Sequence, residues 1–329
     1  MTHAYVTEVG VLIRCSHSHL LLEKEGRLLA RWKIAHLESL TLFGGVHLTT
    51  PALRELLASG KTIAFLTKSG RLLGQVVPPR NSGVELRLAQ YRLLNCSEKR
   101  RQLARDLVRE KLLGMQDILS RYAKNYPELA LKEPRQRLHE ALRRLERLPD
   151  LSSLRGIEGA AAATYWRAFG LLNRSRFDFR GRKAHPARDP INSLLSLGYT
   201  LLGAEIRSIL ETMGFDAHVG YYHEVRANRP SLALDIMEPF RHRVIDHMIL
   251  RGVNLGRFQA CHFCQDPDGR FHLNLEAMKV FIDEYERALR NPAGGRNCAL
   301  QHSWRDLVRD HCEKLRQDLV SDAKLCTKA

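Results

Sequence analysis

Short runs of apolar residues, some alternating with polar ones, recur through the first eighty positions of the chain. They cover residues 9–13, 19–22, 27–30, 42–48, 62–66 and 72–77. Turn-forming pairs and triplets separate them at hairpin spacing: Glu25-Gly26, Gly44-Gly45 and Lys68-Ser69-Gly70. The pattern predicts a small β-domain. One helix interrupts it, with Thr50 as its cap and Pro51 at its first position.

The second part of the chain has a helical pattern. Apolar residues recur at helical spacing among arginines over 98–115 and 140–148, and a last amphipathic stretch contains Trp304 and Leu319. Asp189-Pro190 is a helix-start signal, and the twenty residues after it are apolar almost all round, so we expect a central buried helix there.

The segment Pro78-Pro79-Arg80-Asn81-Ser82-Gly83 ends both periodicities and marks a boundary. We therefore predict an α+β protein in which a small N-terminal β-domain, residues 1–79, precedes a linker at 80–85. A larger all-α domain, residues 86–329, follows the linker and should carry the chemistry.

Composition and charge narrow the function. Among 329 residues, 44% are hydrophobic and 27% charged, which is ordinary globular composition. No run is long and apolar enough to span a membrane, and the first eighteen residues lack a signal-peptide pattern, so we expect a cytoplasmic protein. The net charge of +16, from 52 Lys and Arg against 36 Asp and Glu, favours a polyanionic partner, with nucleic acid first. A merely basic, solvated surface is the alternative.

Two segments concentrate the positive charge. Residues 84–148 hold sixteen Lys and Arg against nine acids, and residues 167–188 hold seven against the single Asp178. Phosphate contacts together with aromatic platforms for bases are one interpretation of the second segment, because Phe169, Phe177 and Phe179 are interleaved with the arginines. The other is a basic connector whose phenylalanines pack inside. The candidate DNA contacts are Arg167, Arg174, Arg176, Arg180, Arg182, Lys183 and, further on, Arg241.

Carboxylates and one histidine form a candidate metal site. Glu158 lies among glycines and alanines on a helix expected to be capped near Ser152 or Ser153, although this segment by itself favours a solvated helix-start glutamate. Asp235 and Glu238, three apart on an apolar helix that follows His223, would repel unless a metal or an arginine such as Arg241 lies nearby. Imidazole and carboxylates without thiolates suit Mg²⁺ or Mn²⁺ and hence phosphodiester chemistry. Pro239 should kink this helix just past the second acid.

The seven cysteines allow a competing site. Cys261, Cys264, Cys298 and His302 have spacings that zinc sites use. However, Asp266-Pro267-Asp268-Gly269 is a turn signal, so we interpret Cys264 and Phe271 as parts of a short hairpin and expect no structural zinc.

Four ordered motifs together resemble the CRISPR-associated spacer-acquisition integrase family ("Cas one") over about residues 9–285. They are Leu42–Thr49 with Ile63–Gly70, Leu154–Gly159, Asp189–Tyr199 and Gly220–Arg241. The resemblance implies a metal-dependent DNA endonuclease and integrase that inserts short double-stranded DNA into a CRISPR array. It also implies a homodimer, formed through the β-domain, and a small partner ("Cas two") that completes a heterohexamer.

The resemblance assigns the Mg²⁺ or Mn²⁺ ligands to Glu158, His223 and Glu238, and makes Asp235 a further catalytic acid one turn earlier. Pro239 stands where the family more often has a second acid. Two alternatives stay open: a nuclease on branched DNA that integrates nothing, and a non-catalytic DNA-binding scaffold whose acids are internal ion-pair partners.

Overall fold

Two four-stranded sheets form the N-terminal part of the protein. The computed structural model describes residues 2–78, 83–147, 150–183, 186–293 and 302–326. One sheet has the order β1-β5-β7-β8, with the first three strands parallel and β8 antiparallel to β7; the other has the order β4-β3-β2-β6. The strands are β1 Thr2–Val6, β2 Leu12–Ser16, β3 His19–Lys24, β4 Arg27–Lys33, β5 Leu37–Phe43, β6 His47–Leu48, β7 Thr62–Leu66 and β8 Leu72–Val76, and helix α1 is Thr50–Ala58.

The predicted strands differ from the observed ones at two places. Strand β1 was not predicted, although its Ala4 and Val6 are buried on one face. The predicted single strand 42–48 is two strands, because Gly44 adopts φ +63° and donates its N–H to Leu66 O, which turns the chain between β5 and β6.

Helices form most of the remaining described chain, so the predicted α+β class is confirmed. Helix α2 begins at Val84, so two residues that we placed in the linker are already helical. The helices are α2 Val84–Asn95, α3 Ser97–Asn125, α4 Lys132–Leu145, α5 Leu151–Leu172, α6 Pro190–Met213, α7 Ser231–Phe240, α8 His247–Asn254, α9 Leu275–Arg290 and α10 Trp304–Cys326. A short hairpin, β9 Phe263–Gln265 and β10 Phe271–Leu273, lies before α9, as the sequence analysis predicted, but helix α9 itself was not predicted as a separate element.

Helix α6 lies at the centre of this domain, as predicted. Asp189 caps it by accepting the Asn192 N–H at 2.8 Å, and Gly214 ends it in the left-handed conformation at φ +95°. Its apolar residues are buried nearly all round, since both Leu194 and Leu195 are fully inaccessible.

The first sheet packs directly on the helices. Phe43 of β5 and Leu66 of β7 belong to the same buried cluster as the α6 leucines. Across this junction Arg305 of α10 donates to Glu205 and Glu286, and the Tyr5 hydroxyl donates to Glu286 at 2.7 Å. The β-domain is therefore joined to the helices by shared core and by a partly buried ion network. In the described part of the chain no helix is both long and apolar enough to cross a membrane.

Two helical glycines should respond oppositely to the same substitution. At Gly198 of α6 an added Cβ would lie 2.5 Å from Cγ2 of the fully buried Ile245, whereas at Gly156 of α5 it would meet nothing within 4 Å. We expect Gly198→Ala to lower the free energy of unfolding by about 1–3 kcal/mol through overpacking. Gly156→Ala should raise it by about 0.5–1 kcal/mol through lost chain entropy. Urea unfolding of the two variants checks this, and equal effects would contradict the packing described around α6.

Candidate active site

Residues far apart in sequence meet in one charged cluster, defined here as Lys111, Glu158, His223 and Glu238. Lys111 Nζ of α3 lies 2.5 Å from Glu158 Oε1 of α5 and 2.8 Å from Glu238 Oε2 of α7. His223 Nε2, from the loop before α7, lies 3.8 Å from Glu238 Oε1. The structure therefore brings together the three predicted metal ligands and adds a lysine between the two carboxylates.

The charges of the cluster hold Glu238 in its ionised form. Its side chain is 2% exposed. Burial opposes ionisation, but the neighbouring positive charges, chiefly those of Arg241 and Lys111, outweigh it and lower the pKa of Glu238 to about 2. Burial likewise opposes the charge of Lys111, and Glu238 and Glu158 more than offset it, so the pKa of Lys111 is raised. The buried part of the cluster is thus an ammonium beside a carboxylate.

Asp235 lies behind His223 and is fully buried. Its Oδ2 accepts the N–H groups of Tyr221 and Tyr222 at 2.7 and 3.0 Å, and its Oδ1 accepts the His223 N–H at 2.9 Å. Oδ1 also lies 2.6 Å from His223 Nδ1. We predicted a catalytic acid that would need a metal or an arginine. In the structure, backbone donors compensate the carboxylate and its Oδ1 contacts the His223 ring, and a catalytic role for Asp235 stays a prediction.

The Asp235 contacts fix which nitrogen of His223 faces the cluster. An Nδ1–H donated to a carboxylate leaves Nε2 with its lone pair directed away from Asp235. Gly220 permits this loop conformation, because an added Cβ would lie 2.6 Å from Asp235 Oδ2 and 2.9 Å from the Ser231 backbone. Residue 220 must therefore be glycine for the loop to approach α7 this closely.

Pro239 precedes a change of helix type. Helix α7 ends at Phe240 and continues as a π-helical segment, Arg241–Asp246, before α8. Proline removes a backbone donor and collides with the preceding turn, so a local departure from α-geometry is expected here, as the sequence analysis predicted for this position. Arg241, first in the π segment, lies 3.5 Å from Glu238 Oε1 and has its guanidinium over the Tyr199 ring, 4.9 Å from the centroid. The ion pair proposed as the structural alternative is therefore present.

A third buried carboxylate, Asp246, ends the π segment. Its oxygens accept hydrogen bonds from the hydroxyls of Tyr165, at 2.8 Å, and Tyr199. His242 Nδ1 lies 2.6 Å from Asp246 Oδ2. This network connects α5, α6 and the π segment, so it sets the position of the Tyr199 ring on which Arg241 stacks.

Most of the predicted DNA contacts lie at the surface. Arg167, Arg174, Arg176, Arg180 and Lys183 are exposed. Arg182 and Arg241 are only partly exposed, and the Arg182 guanidinium donates to Asn192 Oδ1 and Ser196 Oγ and lies over the Tyr199 ring at 5.3 Å. We assign Arg182 an internal role that anchors the basic segment, residues 167–188, beside the ring that Arg241 also contacts.

The phenylalanines of the basic segment pack inward. The Phe169 and Phe179 rings lie 5.0 Å apart, and Phe177 contacts Phe263 of the hairpin at 5.3 Å. The prediction of exposed aromatic platforms for bases is wrong for these residues, and the alternative of inward packing is confirmed. Their apolar rings are more stable against the core than in water.

The cysteine hairpin has the predicted form. Cys264 in β9 pairs with His272 in β10, and both Cys261 and Cys264 are exposed free thiols. His302 Nδ1 lies 3.2 Å from Asp310. Cys298 lies outside the described residues, so the expectation that no zinc is bound stays a prediction.

Sequence reasoning missed Lys111, Tyr199 and Asp246. A signal for Lys111 was present, since it stands on the apolar stripe of α3 with Val108, Leu112 and Met115, all of which are fully buried. A lysine on such a stripe requires a buried counter-charge. The predicted helix start near Ser152 or Ser153 also shifts, because Asp150 is the cap and accepts the Ser153 N–H at 2.7 Å.

The donor set of the cluster fits a hard divalent cation. Two carboxylates and an imidazole nitrogen are ligands that Mg²⁺ and Mn²⁺ accept. Glu238 Oε2 is buried with Lys111 Nζ at 2.8 Å, and the buried Tyr222 hydroxyl has no hydrogen-bond partner among the described residues. Among the residues that the structure describes, no three His, Cys, Asp or Glu side chains are arranged to hold a metal directly. In the cluster the space between the carboxylates is taken by Lys111.

A cavity of about 220 Å³ lies elsewhere, between the first sheet and α6, and is lined by His3, Gln75, Glu205 and neighbouring residues. It contains none of the predicted site residues.

Acid should remove the contribution of Glu238 to stability. Because the pKa of Glu238 falls from its ordinary 4.5 to about 2 on folding, its ionisation stabilises the fold above pH 4.5. That contribution is lost as the pH falls towards 2 and amounts to about 3 kcal/mol. In urea unfolding, the stability difference between wild type and Glu238→Gln should shrink over this range. The exposed Glu276→Gln is the control, and a difference independent of pH would contradict the assignment.

Comparison with known proteins shows the family to which the chain belongs. The family model described as "CRISPR associated protein Cas1" matches residues 4–287. A curated relative, CRISPR-associated endonuclease Cas1 1 of Moorella thermoacetica, is 34% identical over 290 residues, which cover 86% of this chain and 84% of the relative.

Two solved structures share the fold. A Cas1 protein from Thermotoga maritima, TM1797, is 27% identical with a TM-score of 0.82 and covers 97% of both chains. A casposase bound to integration product is 22% identical with a TM-score of 0.86, covers 98% of this chain and 91% of its own, and is similar in fold alone. The chain belongs to the Cas1 family of CRISPR-associated proteins.

Proposed function

We propose that the protein is a metal-dependent DNA endonuclease and integrase that inserts short double-stranded DNA fragments as new spacers into a CRISPR array. One observation carries the proposal. Glu158, His223 and Glu238, separated by up to 80 positions in the sequence, converge within one cluster in which Asp235 orients the imidazole. Membership of the Cas1 family, whose curated relative is named an endonuclease, supports it.

The residues of the cluster have distinct tasks. Glu158 and Glu238 would hold Mg²⁺ or Mn²⁺ together with His223 Nε2, and Asp235 keeps the imidazole in the tautomer that leaves Nε2 free to bind. A bound divalent ion would stabilise charge on a phosphate oxygen and lower the pKa of a coordinated hydroxyl. Arg241, held over Tyr199, would place a fixed positive charge beside the attacked phosphate.

The basic segment would hold DNA next to the cluster. Its exposed arginines can neutralise phosphates, while Arg182 ties the segment to Tyr199 and so to Arg241. In integration a DNA 3′-hydroxyl attacks the phosphate, and in hydrolysis water does so. Both reactions need the same positioning of the DNA backbone.

The proposed assembly follows the family resemblance. We infer a homodimer formed through the β-domain, which binds double-stranded DNA and a small CRISPR-associated partner ("Cas two") in a heterohexamer. Its work would be done in the cytoplasm, where the array DNA lies.

A second candidate function is a non-catalytic DNA-binding scaffold. The ion pairs of Lys111 with Glu158 and Glu238 favour it, because they give both acids a structural role without any metal. Strand transfer that requires a divalent ion would exclude it.

Removing the proposed ligands should abolish the chemistry. We expect Glu158→Ala, His223→Ala and Glu238→Ala each to reduce Mn²⁺-dependent nicking and integration by about a thousandfold or more, since a metal contributes several kcal/mol to such steps. Asp235→Ala should be severe but leave residual activity, because it removes the group that orients a ligand. Transfer of a labelled short duplex into a supercoiled plasmid bearing a repeat measures this.

The matched control is Glu276→Ala, an exposed acid on α9 away from the cluster. Circular dichroism should show that the variants fold. Wild-type rates and unchanged metal dependence in all four site variants would make the site assignment wrong. Nicking without strand transfer would instead favour a nuclease that acts on branched DNA.

The salt dependence of DNA binding should identify the phosphate contacts. Replacing Arg174, Arg176, Arg180 and Lys183 together by alanine should make the slope of log K against log salt less steep by about 3 to 4, because each phosphate contact contributes about 0.9. Arg182→Ala should mainly destabilise the fold, and the ligand variants should leave the slope unchanged. A slope that the quadruple variant does not change would make the segment a basic connector.

A further inference from the structure

We propose that Lys111 is an internal counter-cation that holds the place of the divalent ion and must leave it when the ion binds. The inference rests on the proposed metal dependence and concerns a residue that the family motifs in this sequence do not include. It predicts that Lys111 weakens metal binding while it stabilises the metal-free protein.

The geometry places the ammonium between the proposed metal ligands. Lys111 Nζ is 2.5 Å from Glu158 Oε1 and 2.8 Å from Glu238 Oε2, so one cation contacts an oxygen of each carboxylate. A divalent ion shared by these two oxygens would lie in the same space. Two cations cannot both occupy it, because they would overlap and repel.

The burial of Glu238 explains why the metal-free protein needs a cation beside this carboxylate. Glu238 is 2% and Lys111 10% exposed in their side chains, and an uncompensated carboxylate at such a site is strongly unfavourable. The other positive groups near Glu238 are less close, since Arg241 lies at 3.5 Å and His223 Nε2 at 3.8 Å. Lys111 is therefore the closest cation to Glu238 and the one that it shares with Glu158.

The lysine is suited to leave, whereas Arg241 is not. Its ammonium is a point charge on a flexible four-carbon stem, and its shorter contact is with Glu158, the more exposed of the two acids at 21%. Arg241 is held over the Tyr199 ring, which the Asp246 network fixes. Metal binding would thus replace one mobile cation and leave the fixed arginine beside the phosphate site.

Mn²⁺ titration of the DNA-free protein, followed by electron paramagnetic resonance, tests the inference. Lys111→Met should bind Mn²⁺ at least about tenfold more tightly than wild type, because the competing cation is gone. It should also have a lower Tm without metal and a larger rise in Tm with Mn²⁺. Lys124→Met, which removes an exposed lysine from the last turn of the same helix, is the matched control and should behave as wild type.

The outcomes separate this inference from the proposed function. Mn²⁺ affinity of Lys111→Met equal to or weaker than that of Lys124→Met would overturn the role of Lys111. The proposed metal dependence itself fails if neither the wild type nor Lys111→Met binds Mn²⁺. It also fails if Glu238→Gln does not weaken the Mn²⁺ binding of either protein.

A measurement on the wild type does not depend on the variant folding. In a crystal structure with Mn²⁺, Lys111 Nζ should no longer lie within ion-pair distance of both Glu158 and Glu238. An ammonium that still bridges the two acids, with Mn²⁺ bound elsewhere, would overturn the proposal.

Discussion

The burial of carboxylates along one stretch of chain is the constraint on which the site depends. Asp235, Glu238 and Asp246 lie within twelve residues of α7 and the π segment, and none is more than 2% exposed. Each buried negative charge must be compensated locally, since solvation by water is lost. The hydrogen bonds and ion pairs that compensate these charges also hold the surrounding helices and loops in place.

The three acids are compensated by different groups, and the difference gives each a separate role. Asp235 accepts three consecutive backbone N–H groups and so shapes the loop that carries His223. Asp246 accepts phenolic hydroxyls and so fixes Tyr199 beneath Arg241. Glu238 is compensated by the side-chain cations Lys111 and Arg241. It is therefore the acid whose partner can be exchanged.

The sequence predicted those parts of the fold and site that follow from local pattern. Helix α6 was predictable because its cap, its proline and its all-round apolar surface lie within one continuous segment. Asp235 and Glu238 could be placed on one helix from their spacing, but not distinguished, because their roles depend on the loop at 220–223 and on α3. Lys111 precedes Glu158 by 47 positions and Glu238 by 127, and no periodicity encodes which helix faces which. The roles of Arg182 and the inward phenylalanines could not be predicted for the same reason. The sequence of a basic segment is the same whether its side chains face solvent or the core.

The π segment explains how a packed core and an adaptable charged cluster coexist. Within this segment, His242 and Asp246 are buried against α5 and α6, and Arg243 forms ion pairs with Glu110 and Asp117 of α3. These contacts fix the spacing between α7 and α3, so the backbone positions of Glu238 and Lys111 are set independently of their own ion pair. Because the helices are held by other interactions, the lysine side chain can move without unpacking them. A fixed frame around one ion pair is the arrangement expected of the proposed site, which would have to be stable without a metal and still accept one.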